Sequence, residues 1–197
     1  MTKEGDFTNS LTVVVVWLIV TVVVQSSTER TALNLAVFVP TSGKWPIGNV
    51  ISPAAQIAAK DINDNSKLLE DYEIRLSYHD SGCDQGVGFL EMIRTITATT
   101  SIDGIIGDGC DLICEPFGLL ASEMELPMVS WGCTSIALTD KKEYTTFART
   151  VGQRHDTVRV IMGLLRHFSW QRIGMIYTSE DVWEWMAQTI KTEFEVG

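Results

Sequence analysis

Short β-branched runs alternate with longer stretches of helical periodicity along nearly the whole chain, and few folds accept that order. Leu33–Val39 (LNLAVFV) is an apolar run bounded by Pro40 and Gly43 and reads as a buried strand. Pro53 is expected to open a helix, with Ser52 as its cap and Ile57, Ala58 and Ile62 on one face. Tyr72–Tyr78 alternates Tyr72, Ile74, Leu76 and Tyr78 against Glu73, Arg75 and Ser77, a second strand. A helix over 86–98, a strand at Gly104–Gly107, a helix over 115–124 and a strand at Leu126–Trp131 follow. The remainder reads as an extended run at Thr145–Thr150, a helix over 154–168, a strand at Arg172–Tyr177 and a last helix capped by Ser179. Glu180 and Asp181 fall in its first turn, where the helix dipole favours negative charge. Strands of this length separated by helices of ten to fifteen residues imply βαβ units, hence an α/β fold with a parallel sheet. Right-handed crossovers then put helices on both faces. The last helix has no strand after it, so the reading expects a fragment of a longer protein.

The N-terminus bears on compartment. Residues 11–24 (LTVVVVWLIVTVVV) contain only Thr12 and Thr21 as polar entries. That run is short for a membrane span, which needs about 20 apolar residues, and suits a signal-peptide core. Gln25-Ser26-Ser27-Thr28 supplies small polar residues for cleavage, so residues 1–27 are expected to be a secretory signal. The four cysteines, Cys83, Cys110, Cys114 and Cys133, all lie downstream. An even number in an oxidising compartment points to two disulfides, with three connectivities open. No metal site is expected, because only Cys110-x3-Cys114 approaches ligand spacing and no histidine stands near to complete a set.

Charge and motifs exclude several functions. With 15 Lys+Arg against 25 Asp+Glu, the chain has no basic surplus with which to neutralise phosphates, which argues against nucleic-acid binding. Gly107-Asp108-Gly109 lacks the third glycine of a dinucleotide fingerprint, since position 112 is Leu, and no phosphate-binding G-x-x-x-x-G-K-[ST] loop is present. His79, His155 and His167 sit on separate elements, so no cysteine–histidine nucleophile is apparent and no catalytic residue is assigned. In open parallel sheets ligands gather beyond the carboxyl ends of the strands. The segments in that position, PTSGKWPIG, HDSGCDQG, GDGCDLIC and SWGCTS, are rich in Gly, Ser, Thr and Cys, which suits tight turns and close backbone approach.

Those loops resemble a known family. CEPFGLLASEMELPMVSWGCTSIALTDKKEYTTFARTVGQ (Cys114–Gln153), together with YHDSGCD (Tyr78–Asp84), IIGDGC (Ile105–Cys110) and FSWQRIGMIY (Phe168–Tyr177), resembles the extracellular ligand-binding region of receptor guanylate cyclases. That group includes the natriuretic peptide receptors, and this version looks closest to invertebrate members. The FxRTxG piece also occurs in metabotropic glutamate and other class C receptors. The resemblance implies a type I periplasmic-binding-protein-like fold of two hinged lobes. Residues 33–167 would be most of lobe one and 168–197 the start of lobe two. It also implies a disulfide between the loops after the second and third strands, here Cys83–Cys110, which leaves Cys114 and Cys133 as the other pair. Vertebrate natriuretic peptide receptors bind chloride beside that first disulfide, and the matching positions are Ser81, Gly109 and Cys110. No other cofactor is implied.

The function expected on this basis is the sensor portion of a single-pass receptor guanylate cyclase at the cell surface. It would bind an extracellular peptide or small molecule and signal through rearrangement of a homodimer formed by lobe one, with the cyclase outside this chain. Candidate cleft residues are Ser130, Trp131, Thr134 and Ser135; simple turn capping is the alternative account of the three hydroxyls. A class C receptor-type or cyclase-less scavenger receptor ectodomain is the alternative within the fold. A secreted or intracellular α/β enzyme is the alternative outside it. Asp111 and Leu112 stand in the region where class C receptors would place a carboxylate-binding serine, and an acidic residue there disfavours an amino acid as ligand.

Overall fold

The computed structural model describes residue 14 and residues 30–196 except 66, 99 and 100; the expected signal segment 1–27 lies, but for Val14, outside the described residues. Five strands form one sheet in the order β2-β1-β3-β4-β5, and every neighbouring pair is parallel. They are β1 (Thr31–Val39), β2 (Tyr72–Asp80), β3 (Gly104–Ile106), β4 (Met128–Ser130) and β5 (Phe147–Arg149). Among the described residues 30–196, these α-helices and a 3-10 turn at Ala137–Thr139 accompany them: α1 (Gly48–Asp64), α2 (Gln85–Ile96), α3 (Asp111–Glu123), α4 (Arg154–His167) and α5 (Asp181–Val196). The fold is therefore α/β with a parallel sheet, a type I periplasmic-binding-protein-like lobe.

Helices lie on both faces of the sheet. Adjacent residues on a strand point to opposite sides, and Tyr78 and His79 of β2 show where each leads. The Tyr78 hydroxyl donates to the Ser52 carbonyl of α1 at 3.2 Å. The His79 ring stacks on Phe38 of β1 at 5.1 Å and meets Thr95 of α2 at 3.2 Å. On that second side Phe38 packs edge-on against Phe117 of α3 at 4.9 Å, within a core that includes Met92, Ile113, Ala121 and Met128. The half of β1 running from Ala36 to Val39 is fully buried, as expected for a central strand flanked on both edges. A smaller cluster, Val158, Met162 and Leu165 of α4 against Met186, Ile190 and Phe194 of α5, holds the C-terminal helix.

Two helices begin earlier than the prolines suggest. α1 starts at Gly48, so Pro53 lies inside it and Ser52 is not its cap; the Ser52 hydroxyl donates back to the Gly48 carbonyl at 2.7 Å. α3 starts at Asp111 and contains Pro116. Proline lacks the N–H that would reach the carbonyl four residues back, here that of Leu112. The Gln85 side-chain amide donates to that carbonyl at 3.4 Å instead, which is how the structure tolerates the break.

The run Arg172–Tyr177, expected to be a strand, carries no ladder. A strand is defined by its partner, and among the described residues none lies beside it; Ile176 is fully exposed. Ser179 likewise does not occupy the cap of α5. The Glu180 carbonyl accepts the first two bonds of that helix, from Trp183 and Glu184 at 3.0 Å each, which puts Glu180 at the boundary.

Candidate functional site: the rim at the strand carboxyl ends

Because all five strands run the same way, their carboxyl ends open onto a single rim built from residues 40–47, 81–84, 107–110, 131–136 and 150–153. Two disulfides pin it. Cys83–Cys110 joins the loop after β2 to the loop after β3, with Cα atoms 5.7 Å apart. Cys114–Cys133 joins α3 to the loop after β4, with Cα atoms 6.3 Å apart. Both have ordinary Cα separations for such bridges. His79 therefore has no free thiol at Cys83 with which to form a catalytic dyad.

Three carboxylates organise the loops, and each accepts from backbone N–H groups. Asp80, the last residue of β2, accepts from Thr41 N at 2.8 Å, Ser42 N at 3.2 Å and Gly82 N at 2.9 Å. Partial burial works against its charge, but the Ser42 hydroxyl and these N–H groups outweigh it and hold the carboxyl down at about 2. Gly82 itself has φ +59°, a left-handed turn that glycine enters without steric cost.

Asp108 is fully buried. Its Oδ1 accepts from the N–H groups of Gly109 and Cys110, and the Ser81 hydroxyl also addresses the carboxyl. Its Oδ2 has no partner. Burial is the dominant influence, opposed by those hydrogen bonds and reinforced by the charge of Asp80, and it pushes the Asp108 carboxyl up to about 6. Ser81, Gly109 and Cys110, the chloride candidates of the sequence, are thus brought together, and their donors converge on this side chain.

Asp111, the first residue of α3, is the third carboxylate. Its Oδ1 accepts from Thr134 N at 2.7 Å and Ser135 N at 2.9 Å. Its Oδ2 meets the Thr134 hydroxyl at 3.4 Å and pairs with the Arg154 guanidinium at the start of α4. Arg149 closes the same loop from below, donating to the carbonyls of Ser135 at 2.8 Å and Cys133 at 3.3 Å.

Of the candidate cleft residues, Ser130 is completely buried; its hydroxyl donates to the Asp108 carbonyl at 2.7 Å and accepts from Cys133 N at 2.9 Å. The Ser135 hydroxyl accepts from Ala137 N at 3.2 Å. Trp131 lies across Gly109 so closely that a Cβ there would sit 2.2 Å from the indole, and Trp45 approaches it with ring centroids 6.1 Å apart. A pocket of 190 Å³ opens beside the first disulfide, lined by Gly43, Lys44, Trp45, Gly82, Cys83, Asp84 and Glu180. A larger open groove of 490 Å³ lies elsewhere, between residues 174–178 and α5. Among the described residues no cluster of three or more His, Cys, Asp or Glu is placed to hold a metal, and no helix is long and apolar enough to cross a membrane.

Sequence reasoning did not find Asp80, Arg149, Arg154 or Trp45. For Asp80 a signal existed: Asp-Ser-Gly after a strand is the pattern in which an aspartate accepts from the N–H two residues on. For Arg154, 43 residues from its partner, there was none.

A parallel sheet with a disulfide-pinned, polar rim at its carboxyl ends is one lobe of a ligand-binding module. Comparison with known sequences makes the class specific: the receptor family ligand binding region matches residues 50–196, and this chain belongs to that family. It is an extracellular ligand-binding module. It is 31% identical over 156 residues to mouse gamma-aminobutyric acid type B receptor subunit 1, covering 78% of this chain and 16% of the relative. Human gamma-aminobutyric acid type B receptor subunit 2 is 29% identical over 133 residues, 68% of this chain and 14% of the relative. A receptor-type guanylate cyclase of Drosophila melanogaster is 28% identical over 175 residues, 85% of this chain and 10% of the relative. The chain thus spans about a sixth or less of the length of these relatives.

Proposed function

We propose that this chain is the N-terminal part of the ligand-sensing ectodomain of a class C receptor-type protein, in which an extracellular ligand binds at the strand-end rim and signalling proceeds through rearrangement of a dimer. The observation that carries the sensing role is the rim itself. Five loops meet at one end of a parallel sheet, two disulfides fix their spacing, and backbone N–H groups there converge on the side chains of Asp80, Asp108 and Asp111. The class C assignment is supported by the 31% identity to gamma-aminobutyric acid type B receptor subunit 1. The receptor guanylate cyclase reading is the second one, and the broader coverage of the Drosophila cyclase, 85% of the chain, favours it.

In this reading residues 33–167 belong to lobe one and 168–197 begin lobe two, with lobe one supplying the dimer contact. Residues 1–27 act as a secretory signal that directs the chain to the cell surface. Trp131, Thr134 and the pocket beside Cys83 face the ligand, while Ser130 and Ser135 brace the loop that carries them. A structural chloride is assigned to the donors of Ser81, Gly109 and Cys110, which converge on Asp108 in this structure. Sequencing the parent transcript beyond codon 197 tests the assignment. Seven membrane spans downstream are expected for the class C reading. One span followed by a kinase-like region and a cyclase would replace it with the guanylate cyclase reading, and an enzyme-like continuation with neither would overturn both.

A further inference from the structure

Alternation along β2 puts Arg75, Ser77 and His79 on one face of the sheet, the face that α2 covers. Where an apolar layer would close the gap, these side chains leave a pocket of 330 Å³ against Glu91, Arg94 and Thr95 of α2. None of its lining residues belongs to the rim. β2 is the edge strand, so the pocket is reached from the side of the sheet.

The hydrogen bonds there fix where each proton sits. Thr95 Oγ1 lies 2.7 Å from the Glu91 carbonyl, which can only accept, so the hydroxyl directs its one proton to it. The same oxygen is 3.2 Å from His79 Nδ1 and must accept from it, which places the proton of the neutral ring on Nδ1. Nε2 keeps its lone pair and accepts from the Ser77 hydroxyl at 3.0 Å. The ring cannot turn away, because it stacks on Phe38 and Thr95 is itself buried. Burial lowers the imidazole below its ordinary 6.5, against the pull of Glu91, and so keeps Nε2 free to take a proton. Glu91 Oε2, 3.9 Å from Nδ1, is placed to favour the imidazolium once it forms.

We infer that Ser77 is an acylation site of this module, a nucleophile that takes the acyl group of small activated carboxylic esters with His79 as its general base. Hydroxyl and base stand within hydrogen-bond reach, and a third group orients the base, which is the arrangement such chemistry needs. Ser77 Oγ bonds to the ester carbonyl carbon as its proton passes to His79 Nε2. The bond from that carbon to the leaving oxygen then breaks, Nε2 returns the proton to the leaving oxygen, and acyl-Ser77 remains. Arg75 and Arg94 line the same pocket and supply positive charge for the carbonyl oxygen as it becomes an anion. The pocket is at the small end of the range for ligand sites, which restricts the acyl group to short chains. The site is independent of the sensing role proposed for the rim.

The experiment treats the full 197-residue chain with p-nitrophenyl acetate and locates acetyl groups by peptide mass spectrometry. An acetyl group is expected on Ser77. Its formation should slow about 100-fold in His79→Asn, whose amide still reaches Thr95 but offers no base. Ser77→Ala should lose it without disturbing the fold, since Ser77 is exposed. Thr95→Ser keeps the orienting hydroxyl and should keep the rate, whereas Thr95→Val should lower it severalfold. The charged groups facing the ring are Arg75 of β2 and Glu91 and Arg94 of α2; Asn34 of β1 and Ile102 bring none. The rate should therefore rise with pH in a step centred below 6.5, and Glu91→Gln, which removes the charge that raises the imidazole, should move that step lower. Acetyl groups confined to lysines, an unchanged rate at Ser77 in His79→Asn, or a rate with no such step overturns the assignment.

Discussion

Asp111 and Arg154, the first residues of α3 and α4, form an ion pair across 43 positions of sequence, and both side chains are nearly withdrawn from solvent. The pair joins the start of α3, onto which the loop after β4 also donates, to the helix that packs against α5, so it ties the rim to the C-terminal segment. Breaking a buried pair from one side strands the other charge and costs roughly 3–5 kcal/mol, whereas removing both charges costs much less. Arg154→Met is expected to lower unfolding stability by about 3 kcal/mol, and the Asp111→Asn/Arg154→Met pair to recover at least half of that loss. Urea unfolding of the four chains in a double-mutant cycle measures it; additive losses would show the pair to be uncoupled.

Asp108 and Asp80 pull stability in opposite directions with pH. Asp80 is held at about 2 against an ordinary 3.8, so its contribution is present above 3.8 and is lost as pH falls toward 2. Asp108 is raised from 3.8 to about 6, so the stability it adds is full below 3.8 and is lost as pH rises through 6. The unfolding midpoint should therefore rise between pH 2 and 3.8 and, for this pair of groups, decline from there to pH 6. Asp108→Asn, a neutral isostere, should flatten the second limb and stabilise the chain at pH 7 by an amount on the order of 2 kcal/mol. A declining limb that persists unchanged in Asp108→Asn would assign it to another group.

The first disulfide closes a loop with a sequence separation of 27 between Cys83 and Cys110. The chain-entropy estimate for a loop of this size is roughly 3–4 kcal/mol. Cys83→Ser/Cys110→Ser is expected to lose about that much, and the untreated chain should present no thiol to iodoacetamide even in denaturant, since no free cysteine is found. Mass spectrometry after labelling, with and without prior reduction, reads both statements.

Gly109 is required by the indole of Trp131, not by its own backbone angles. An added Cβ would lie 2.2 Å from the ring, inside any real contact distance. Gly109→Ala should displace Trp131, red-shift the tryptophan emission as the indole meets water, and destabilise by about 2–3 kcal/mol through overpacking. Gly109→Ala in a Trp131→Leu background should cost clearly less, because the side chain it collides with is gone. Equal costs in the two backgrounds would remove the indole as the cause.

The expectation of a receptor guanylate cyclase was too narrow. The loops that carry it, GDGC and WGCTS, seat the disulfides, and the chain matches gamma-aminobutyric acid type B receptor subunits as well as receptor guanylate cyclases. They identify the lobe well and the branch poorly. Elsewhere the expected strand at Arg172–Tyr177 had the right residues but no neighbour, and propensity without a ladder does not make a strand.

What the sequence by itself determined is what short-range physics controls. Alternation within strands and helical periodicity between them set the α/β class, and the Gly- and Ser-rich segments set where the chain turns. What only the tertiary structure decided is which of those turns meet. The order β2-β1-β3-β4-β5 places β1 at the junction of the loops bearing Asp80 and Asp108. It also carries the loop of Thr134 and Ser135 over the start of α3, where Asp111 waits for Arg154. A carboxylate finds its donors through space, at separations of 23 and 43 residues here, and no local pattern encodes that encounter. It follows from how the sheet is wound and from the high cost of burying a charge without partners.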